Sequence, residues 1–570
     1  MRPTEPRTVD TTIARRQQVI TGLTCLTFAA AFVYRFNALL GSLGGFDGDH
    51  FMYYLGAQHV TLGERPLRDF ADAGMQGAWP ALTYDLSALA QLIGGATLLS
   101  EAALCVGAVA LSTALLFRAS ASLSGIVPSL AVMLVSLGAG TRLYGYSKVL
   151  VSAGAVTLLL RYARAPSMAN AGWLGAWSAV AALFRHDYLV YVGPAVVVLI
   201  FTLPGLDVSA RFRRLLAYAG SAALLLAAPL YSVHHFVGLA QYARINLELT
   251  RRESARTDLE WPIFEGTNGG IPAFFDSEVN ATAWLYYLCL VIPILALVAA
   301  WARPRLPGCD VGRSRAVLLS LATYAGLLDL FLLRGNLAAR FGDLGAPIAV
   351  LAAWLGSAGW AQRRAVVVGA RASAMIVLAT CAFAVNTTGG VWQELFTTRL
   401  RVGPLAVVGR TGEVIQGLRA MPPPAEGSVE ERQRTNRTDP DVIDYLRACT
   451  YPSDRLLVLA DAAEVTVFAS RLFAGGQPTF RAGFHALEEE EALTLDRLER
   501  QSVPVVLTRD QQDFDQHIEP DFRTIATWVA RRYEYTGELP ALTGGPMRVL
   551  VRKDLLGSEP FAGTGIPCPH

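Results

Sequence analysis

The chain has 570 residues, 52% of them hydrophobic and only 17% charged, with a mean hydropathy of +0.35. An ordinary soluble domain carries roughly 25% charged residues, so this composition excludes a wholly soluble protein and specifies a polytopic one with the lipid bilayer as solvent. The formal net charge of +2 says nothing about nucleic acid, and no basic run looks like a nucleic-acid footprint, so no nucleic-acid partner is expected.

Residues 18–40 form the first apolar span, long enough for the roughly 20 residues a crossing needs. Arg15 and Arg16 precede it, and the positive-inside rule puts them in the cytoplasm. The next residues, Phe46-Asp47-Gly48-Asp49-His50, therefore emerge on the outer face. Residues 49–62 have the apolar spacing of a short helix lying at the interface, and Trp79 suits an interfacial belt.

Further apolar spans recur at about 80–99, 101–117, 125–140, 148–162, 171–184, 188–203, 215–236, 281–301, 315–333, 343–360 and 366–386, for 11 to 13 helices. Arg161 and Arg164, Arg211 to Arg214, Arg303 to Arg315 and Arg363 to Arg371 mark cytoplasmic connections. Residues 185–187, 237–280, 334–342 and everything after 387 are then outside. Four spans lie between the outer loop 41–79 and the inner loop at 161–170, and an even number of crossings cannot connect opposite faces. One span between 80 and 162 is short of a full crossing, two form one helix, or a further one exists.

The fold class expected is thus a polytopic α-helical membrane domain, 1–386, with outer loops 41–79 and 237–280. A polar linker spans 387–437, and a small extracytoplasmic α/β domain spans 438–557, ahead of a tail at 558–570. Buried strands are expected at Arg455–Leu459, Val503–Leu507 and Met547–Val551, between helices that include 439–448 and 522–532. Cys449 and Cys568 can pair if this part is outside, although Cys568 stands in a terminal Pro/Gly tail. The other cysteines have no metal-ligand spacing.

Five constellations carry polar chemistry. Asp47 and Asp49, two apart in an extended loop, would share a face, and a carboxylate there can take a hydroxyl proton or hold a divalent cation. His50 is read as an interfacial aromatic rather than a ligand. Arg142 and Lys148, with Tyr144 and Tyr146, can bind a phosphate and a sugar face or simply snorkel. Lys148 is one of only two lysines in the chain. Arg185, His186 and Asp187 interrupt an apolar region and form either a cavity rim or a self-paired turn. Arg251 and Arg252 can grip a phosphate through guanidinium forks or belong to a solvated amphipathic helix. Arg334 and Arg340, near Asp343, can grip a lipid phosphate or cap two helices.

The order of these features resembles the GT-C class of integral-membrane glycosyltransferases, which includes the protein O-mannosyltransferases and the aminoarabinose transferases of lipid A. The resemblance rests on Gly45-Phe-Asp-Gly-Asp49 after the first span, surface helices in the first outer loop, many spans and a C-terminal outer domain. It implies an inverting transfer from a polyprenyl-phosphate sugar donor to an extracytoplasmic acceptor: a glycan, a lipid or a protein. Asp47 matches the family's base or metal ligand, with Mg or Mn as the candidate cation. The chain departs from the class near residue 144, where a second acidic motif is replaced by Tyr144-Gly-Tyr-Ser-Lys148. A transporter or lipid-linked glycan flippase is the alternative, against which stand the absence of an inverted repeat and the gathering of polar residues at span ends.

Overall fold

The computed structural model describes residues 8–357, 404–420 and 441–569, apart from 38, 40–45, 47, 73–80, 139–142, 256–261, 267–277, 302–305, 307–308, 334–336, 481–487, 542–544 and 562–563. In chain order the helices are α1 (Thr8–Asn37), α2 (Gly48–Thr61), α3 (Leu82–Gly94), α4 (Leu98–Ser124), α5 (Ile126–Gly138), α6 (Tyr146–Arg164) and α7 (Met168–Phe184). There follow α8 (Tyr188–Thr202), α9 (Val208–Phe236), α10 (Leu239–Ala255), α11 (Glu278–Trp301), α12 (Val311–Leu328), α13 (Leu337–Gly356) and α14 (Pro404–Arg419). The expected span at 366–386 lies outside the described residues, as does Trp79.

The chain divides into two compact units. One comprises residues 1–38, 105–227 and 257–410, and the other 39–104, 228–256 and 411–570. The first is helical. Among the described residues five helices are long and apolar enough to cross a membrane: Arg15–Asn37, Leu98–Ser124, Leu143–Arg164, Val208–Phe236 and Ala283–Trp301.

In lipid, apolar side chains gain little from one another's company, so helices associate through close packing of small residues and through polar contacts. Both are present. A Cβ at Gly154 of α6 would stand 2.1 Å from the Trp177 ring of α7, and one at Gly175 of α7 would stand 2.0 Å from the carbonyl oxygen of Tyr218 on α9. Ser152 and Tyr324 hydroxyls meet at 2.9 Å between α6 and α12, and Ser320 donates to the Ala195 carbonyl of α8 at 2.7 Å. Helix starts are set by side-chain acceptors: Ser167 caps α7, and Asp310 caps α12 by accepting from the Arg313 amide at 2.8 Å.

The second unit contains the expected α/β domain, and its sheet extends the expectation. Its helices are α15 (Val442–Cys449), α16 (Ala463–Ala469), α17 (Glu488–Arg500) and α18 (Arg523–Arg532). Its strands are β1 (Arg455–Leu459), β2 (Leu472–Phe473), β3 (Val505–Thr508), β4 (Tyr533–Leu539) and β5 (Met547–Arg552), in the order β2-β1-β3-β5-β4. Strands β2, β1 and β3 are parallel; β5 runs antiparallel to β3 and β4. Strands β1 and β3 are almost wholly buried. That is why they read as continuous apolar runs, whereas β4 carries Glu534 and Glu538 on a more exposed edge. Inside the expected linker, Pro404–Arg419 is helical.

The tail is packed rather than loose. Ile566 is buried, Tyr445 donates from its hydroxyl to the Pro567 carbonyl at 2.8 Å, and the Cys568 amide donates to Glu559 at 2.9 Å. This brings Cys568 to the end of α15, where it forms a disulfide with Cys449 across a sequence separation of 119. Closing a loop of that order restricts the unfolded chain by roughly 4–5 kcal/mol in the chain-entropy account. Reduction of the purified protein should therefore lower its melting temperature, and Cys568→Ser should lower it equally while abolishing the effect of reductant. Differential scanning fluorimetry with and without reductant checks this; a melting temperature indifferent to both changes would show that the bond contributes nothing.

Candidate active site in the first outer loop

Residues 39–104 share a unit with the α/β domain, and two ion pairs explain why. Asp72 accepts from both terminal nitrogens of Arg497 on α17, at 2.8 and 3.1 Å, and from the Gln477 amide. Both charged side chains are 5% exposed. Beside them the Ala71 amide donates to the Gly476 carbonyl at 3.1 Å. Gly476 has φ +81°, and a Cβ there would stand 2.2 Å from the Arg497 guanidinium, so only glycine admits the clamp.

The second pair is Glu64 with Arg455 of β1. The other Glu64 oxygen lies 2.6 Å from His59 Nδ1. Aromatic rings fill the rest of the junction: Phe51 on Phe468 at 5.5 Å, and both His59 and Phe70 on Phe473 at 4.0 and 6.1 Å.

Helix α2 is therefore buried, not laid on a surface. His50 to Ala57 and His59 are all covered, which corrects the reading of 49–62 as an interfacial helix. The apolar face inferred from Phe51, Tyr54 and Leu55 is real, but α3 and the α/β domain cover the other face too. Asp49 stands half-buried in the first turn of α2, where the helix dipole favours a carboxylate. Asp49 is helical rather than extended, and the face it was expected to share with Asp47 depends on a residue outside the described ones. Asp47 itself lies outside the described residues, between the buried Phe46 and Gly48, the first residue of α2.

His50 also departs from its sequence reading. It is 1% exposed, packs edge-on against Phe46 at 4.6 Å, and its Nε2 lies 3.3 Å from Oε1 of Glu101 in the first turn of α4. Glu101, equally buried, accepts from the Ser87 hydroxyl through its other oxygen. Its negative charge, after burial, helps push the Tyr54 hydroxyl above the ordinary tyrosine range. Sequence reasoning missed Glu101. The signal was there: an acid at the start of the apolar span 101–117 must find a partner.

A divalent cation fits this pair. Two donors at about 2.0–2.1 Å from a tetrahedral zinc lie roughly 3.3 Å apart, the spacing found here. Cys105 follows Glu101 by one turn along the same helix. Imidazole and thiolate are softer donors than Mg or Mn prefer.

The remaining sequence candidates lie on other elements of the chain. Arg185 pairs with Asp187 in the turn after α7, at 2.8 Å, with Tyr188 beneath its guanidinium at 5.5 Å; His186 in the same turn is exposed. The self-paired turn is thus what forms. Lys148 is buried in α6 near the Tyr144 ring, so it does not snorkel. Arg251 is exposed on α10. Arg142 and Arg334 lie outside the described residues, as do the side chains of Arg252, Arg340 and Asp343.

No family model and no curated protein matches the chain. Solved structures to which it is similar include ArnT from Cupriavidus metallidurans bound to undecaprenyl phosphate, at 14% identity and a TM-score of 0.48, over 95% of this chain and 100% of that one. They also include the oligosaccharyltransferase AglB from Archaeoglobus fulgidus with an inhibitory peptide and a dolichol-phosphate, at 13% identity and a TM-score of 0.45, over 95% and 75%. The Archaeoglobus fulgidus oligosaccharyltransferase in complex with Zn and sulfate is similar at 12% identity and a TM-score of 0.39, over 88% and 69%.

The Glu64 junction sets a pH dependence. Burial opposes ionisation of Glu64, but hydrogen bonds from His59 and Arg455, and the arginine's charge, hold its carboxyl down at about 2. Burial holds His59 below the ordinary imidazole range against the pull of Glu64. A neutral His59 donates from Nδ1 to the carboxylate, and its Nε2 has no hydrogen-bond partner among the described residues, so a second proton there would be unsatisfied. Below about pH 6.5 the unfolded chain binds a proton that the folded His59 refuses, so stability falls as pH falls. The Glu64 contribution is complete above about pH 4.5 and is lost as pH drops toward 2. Thermal melting from pH 7 to 5 should show a declining midpoint, and His59→Gln should flatten that decline. An equal slope in both proteins would remove His59 from this account.

Proposed function

We propose that the protein is a membrane glycosyltransferase that moves a sugar from a polyprenyl-phosphate donor to an extracytoplasmic hydroxyl-bearing acceptor. The observation that carries this reading is the placement of the acidic motif. It follows the first span at once and enters a helix locked between a buried His–Glu couple and an α/β domain. A loop that merely connected two spans would need none of that fixation. The Cys449–Cys568 disulfide supports an oxidising, extracytoplasmic setting for this unit.

In this reading Asp47 takes the proton of the acceptor hydroxyl while that oxygen attacks the anomeric carbon. The carbon–oxygen bond to the phosphate breaks from the opposite side, and the phosphate leaves with the electron pair. Asp49, at the positive end of α2, orients the acceptor or the cation. Arg251 and Arg252, in the same unit, offer guanidinium forks where charge develops on the leaving group. A divalent cation would be held by His50 and Glu101 and would supply positive charge to the site. Donor choice follows from location, since a lipid-linked sugar reaches the outer face where nucleotide sugars do not.

Asp47→Asn should abolish transfer, because an amide accepts no proton at neutral pH, and Asp49→Asn should reduce it less. The assay is transfer from a short-chain polyprenyl-phosphate sugar by folded, purified protein; near-normal turnover by Asp47→Asn would overturn the catalytic assignment. Metal content is a separate readout. His50→Ala and Glu101→Ala should each lower the zinc found by elemental analysis of purified protein relative to wild type, and unchanged metal content in both would dismiss the cation site.

A further inference from the structure

A charged cleft lies between α17 and α18 of the α/β domain. Both helices are fixed from within. Leu498 of α17 and Ile525 and Val529 of α18 are buried in one apolar cluster, and Leu495 and Trp528 pack partly buried against it. Leu495 and Trp528 also floor the cleft, which has a volume of about 530 Å³. That lies within the roughly 300–1,000 Å³ usual for small-ligand sites. One wall is tied in place. Glu499 accepts from the Trp528 indole at 2.8 Å and from Arg532 at 2.7 and 2.8 Å, and the Arg532 guanidinium lies 5.1 Å from the Trp528 ring centroid.

The other two lining arginines have no such role. Arg523 and Arg531 are exposed, and among the described residues neither guanidinium makes an ion pair or a hydrogen bond. Helix α18 contains no acid to neutralise them. Three arginines against Glu499 leave the cleft with a net charge of +2, as much as the whole chain carries. Arg523 opens α18, where the helix dipole repels a cation, so helix stability does not account for it. The amides at that end are already taken, since Glu491 accepts from Thr524 and Ile525 at 2.8 and 3.1 Å. At the other end Lys553 donates to the Ala530 and Arg531 carbonyls and adds a further cation. Arg523, Thr527 and Arg531 are spaced by four and form one stripe of the helix. The Thr527 hydroxyl donates to the Arg523 carbonyl at 2.8 Å, which leaves its oxygen lone pairs to accept.

An anionic chain is what this stripe fits. A guanidinium holds a carboxylate or a phosphate through two parallel hydrogen bonds. Eight residues separate Arg523 from Arg531, about 12 Å of helix rise, which is more than one such group spans. A ligand that engages both therefore carries separated anions, and the threonine between them suits a hydroxyl. A membrane surface would call for apolar side chains beside the cations. The exposed large apolar residues among those described include none from α18. Single-stranded nucleic acid would call for an open aromatic platform, and the Trp528 ring already carries Arg532. We infer that the cleft binds an acidic glycan, a chain of sugars bearing carboxylates or phosphates, with Arg523 and Arg531 on separate anionic groups and Thr527 on a sugar hydroxyl. This goes beyond the transferase reading and does not rest on it.

The test is calorimetric titration of the full chain, in phosphatidylcholine nanodiscs, with a mannuronate tetramer and with neutral mannotetraose. The acidic tetramer should bind, and the neutral one should bind roughly ten-fold more weakly or not at all. Arg523→Gln and Arg531→Gln should each weaken the acidic tetramer roughly ten-fold, the worth of one charged contact. Arg523→Lys keeps the charge but not the fork and should fall between. Arg548→Gln removes an arginine of β5 outside the cleft and should bind as the wild type does. No binding by the wild type would overturn the inference. Equal weakening by Arg548→Gln would also overturn it, by showing attraction to net charge alone, and so would equal affinity for mannotetraose. Glycerophosphoglycerol and inorganic phosphate are the remaining probes. Either one binding as tightly as the tetramer, with the same dependence on Arg523 and Arg531, would show a lipid head-group or lone-anion site and no glycan site. Variants are compared at the wild-type melting temperature, which exposed arginines should leave unchanged. Absence of transfer activity with tetramer binding intact would count against the transferase and leave the cleft standing.

Discussion

The second unit depends on one buried charge pair. Asp72 and Arg497 are 425 positions apart, yet the guanidinium meets the carboxylate with two nitrogens while Gln477 supplies a third donor. Burying two charges costs several kcal/mol each, and the cost is recovered only when geometry and hydrogen bonds are complete. Here they are, and the surrounding chain is shaped to make them so. Gly475 and Gly476 both take positive φ, and Arg497 passes through the space a side chain would fill. Removing one partner would strand the other, a loss on the order of 3–5 kcal/mol. The pair therefore makes the first outer loop and the C-terminal domain one folding unit.

That coupling changes what each part can do. A loop between two spans is ordinarily mobile, and a catalytic acid on it would be poorly placed. Tied at Glu64 and Asp72, with α2 covered on both sides, the segment behaves instead as part of a rigid scaffold. The C-terminal domain, by the same contacts, is the wall against which α2 packs rather than an appendage. Its disulfide and packed tail stabilise that wall at α15, with Ile566 of the tail packed against Gly537 of β4.

Local pattern and distant pairing were unequally legible in the sequence. Strands β1 and β3 could be read because nearly complete burial leaves an apolar run, and β5 because its buried Met547, Val549 and Val551 alternate with less buried residues. Strand β2 could not, being two residues long, and β4 alternates too weakly, with Glu534 and Glu538 on its exposed edge. The acidic motif was visible from its position alone. Its partners were not, because Glu101 was absorbed into an apolar span and Arg455 and Arg497 are nearly 400 residues or more from the acids they meet. Periodicity carries no information about such contacts. The turn at Arg185 and Asp187 shows the opposite case, since the pairing is local and the sequence already contained it.

The two first-loop helices differ from what their hydropathy suggests for one physical reason. Hydropathy reports how apolar a segment is, not what it faces. Helix α2 carries His50, Gln58 and His59 and so reads as amphipathic and superficial, but both histidines meet acids inside the protein, His50 beside Glu101 and His59 on Glu64. Helix α3 reads as a span because its leucines are many, yet its serine and glutamine are the groups turned inward. In water an inward polar face would be a defect. Next to a bilayer it is the stable arrangement, because hydrogen bonds made within the protein are sheltered and the leucines lose nothing by facing lipid. The side on which a helix hides its polar groups thus distinguishes a buried helix from a lipid-facing one, where composition alone cannot.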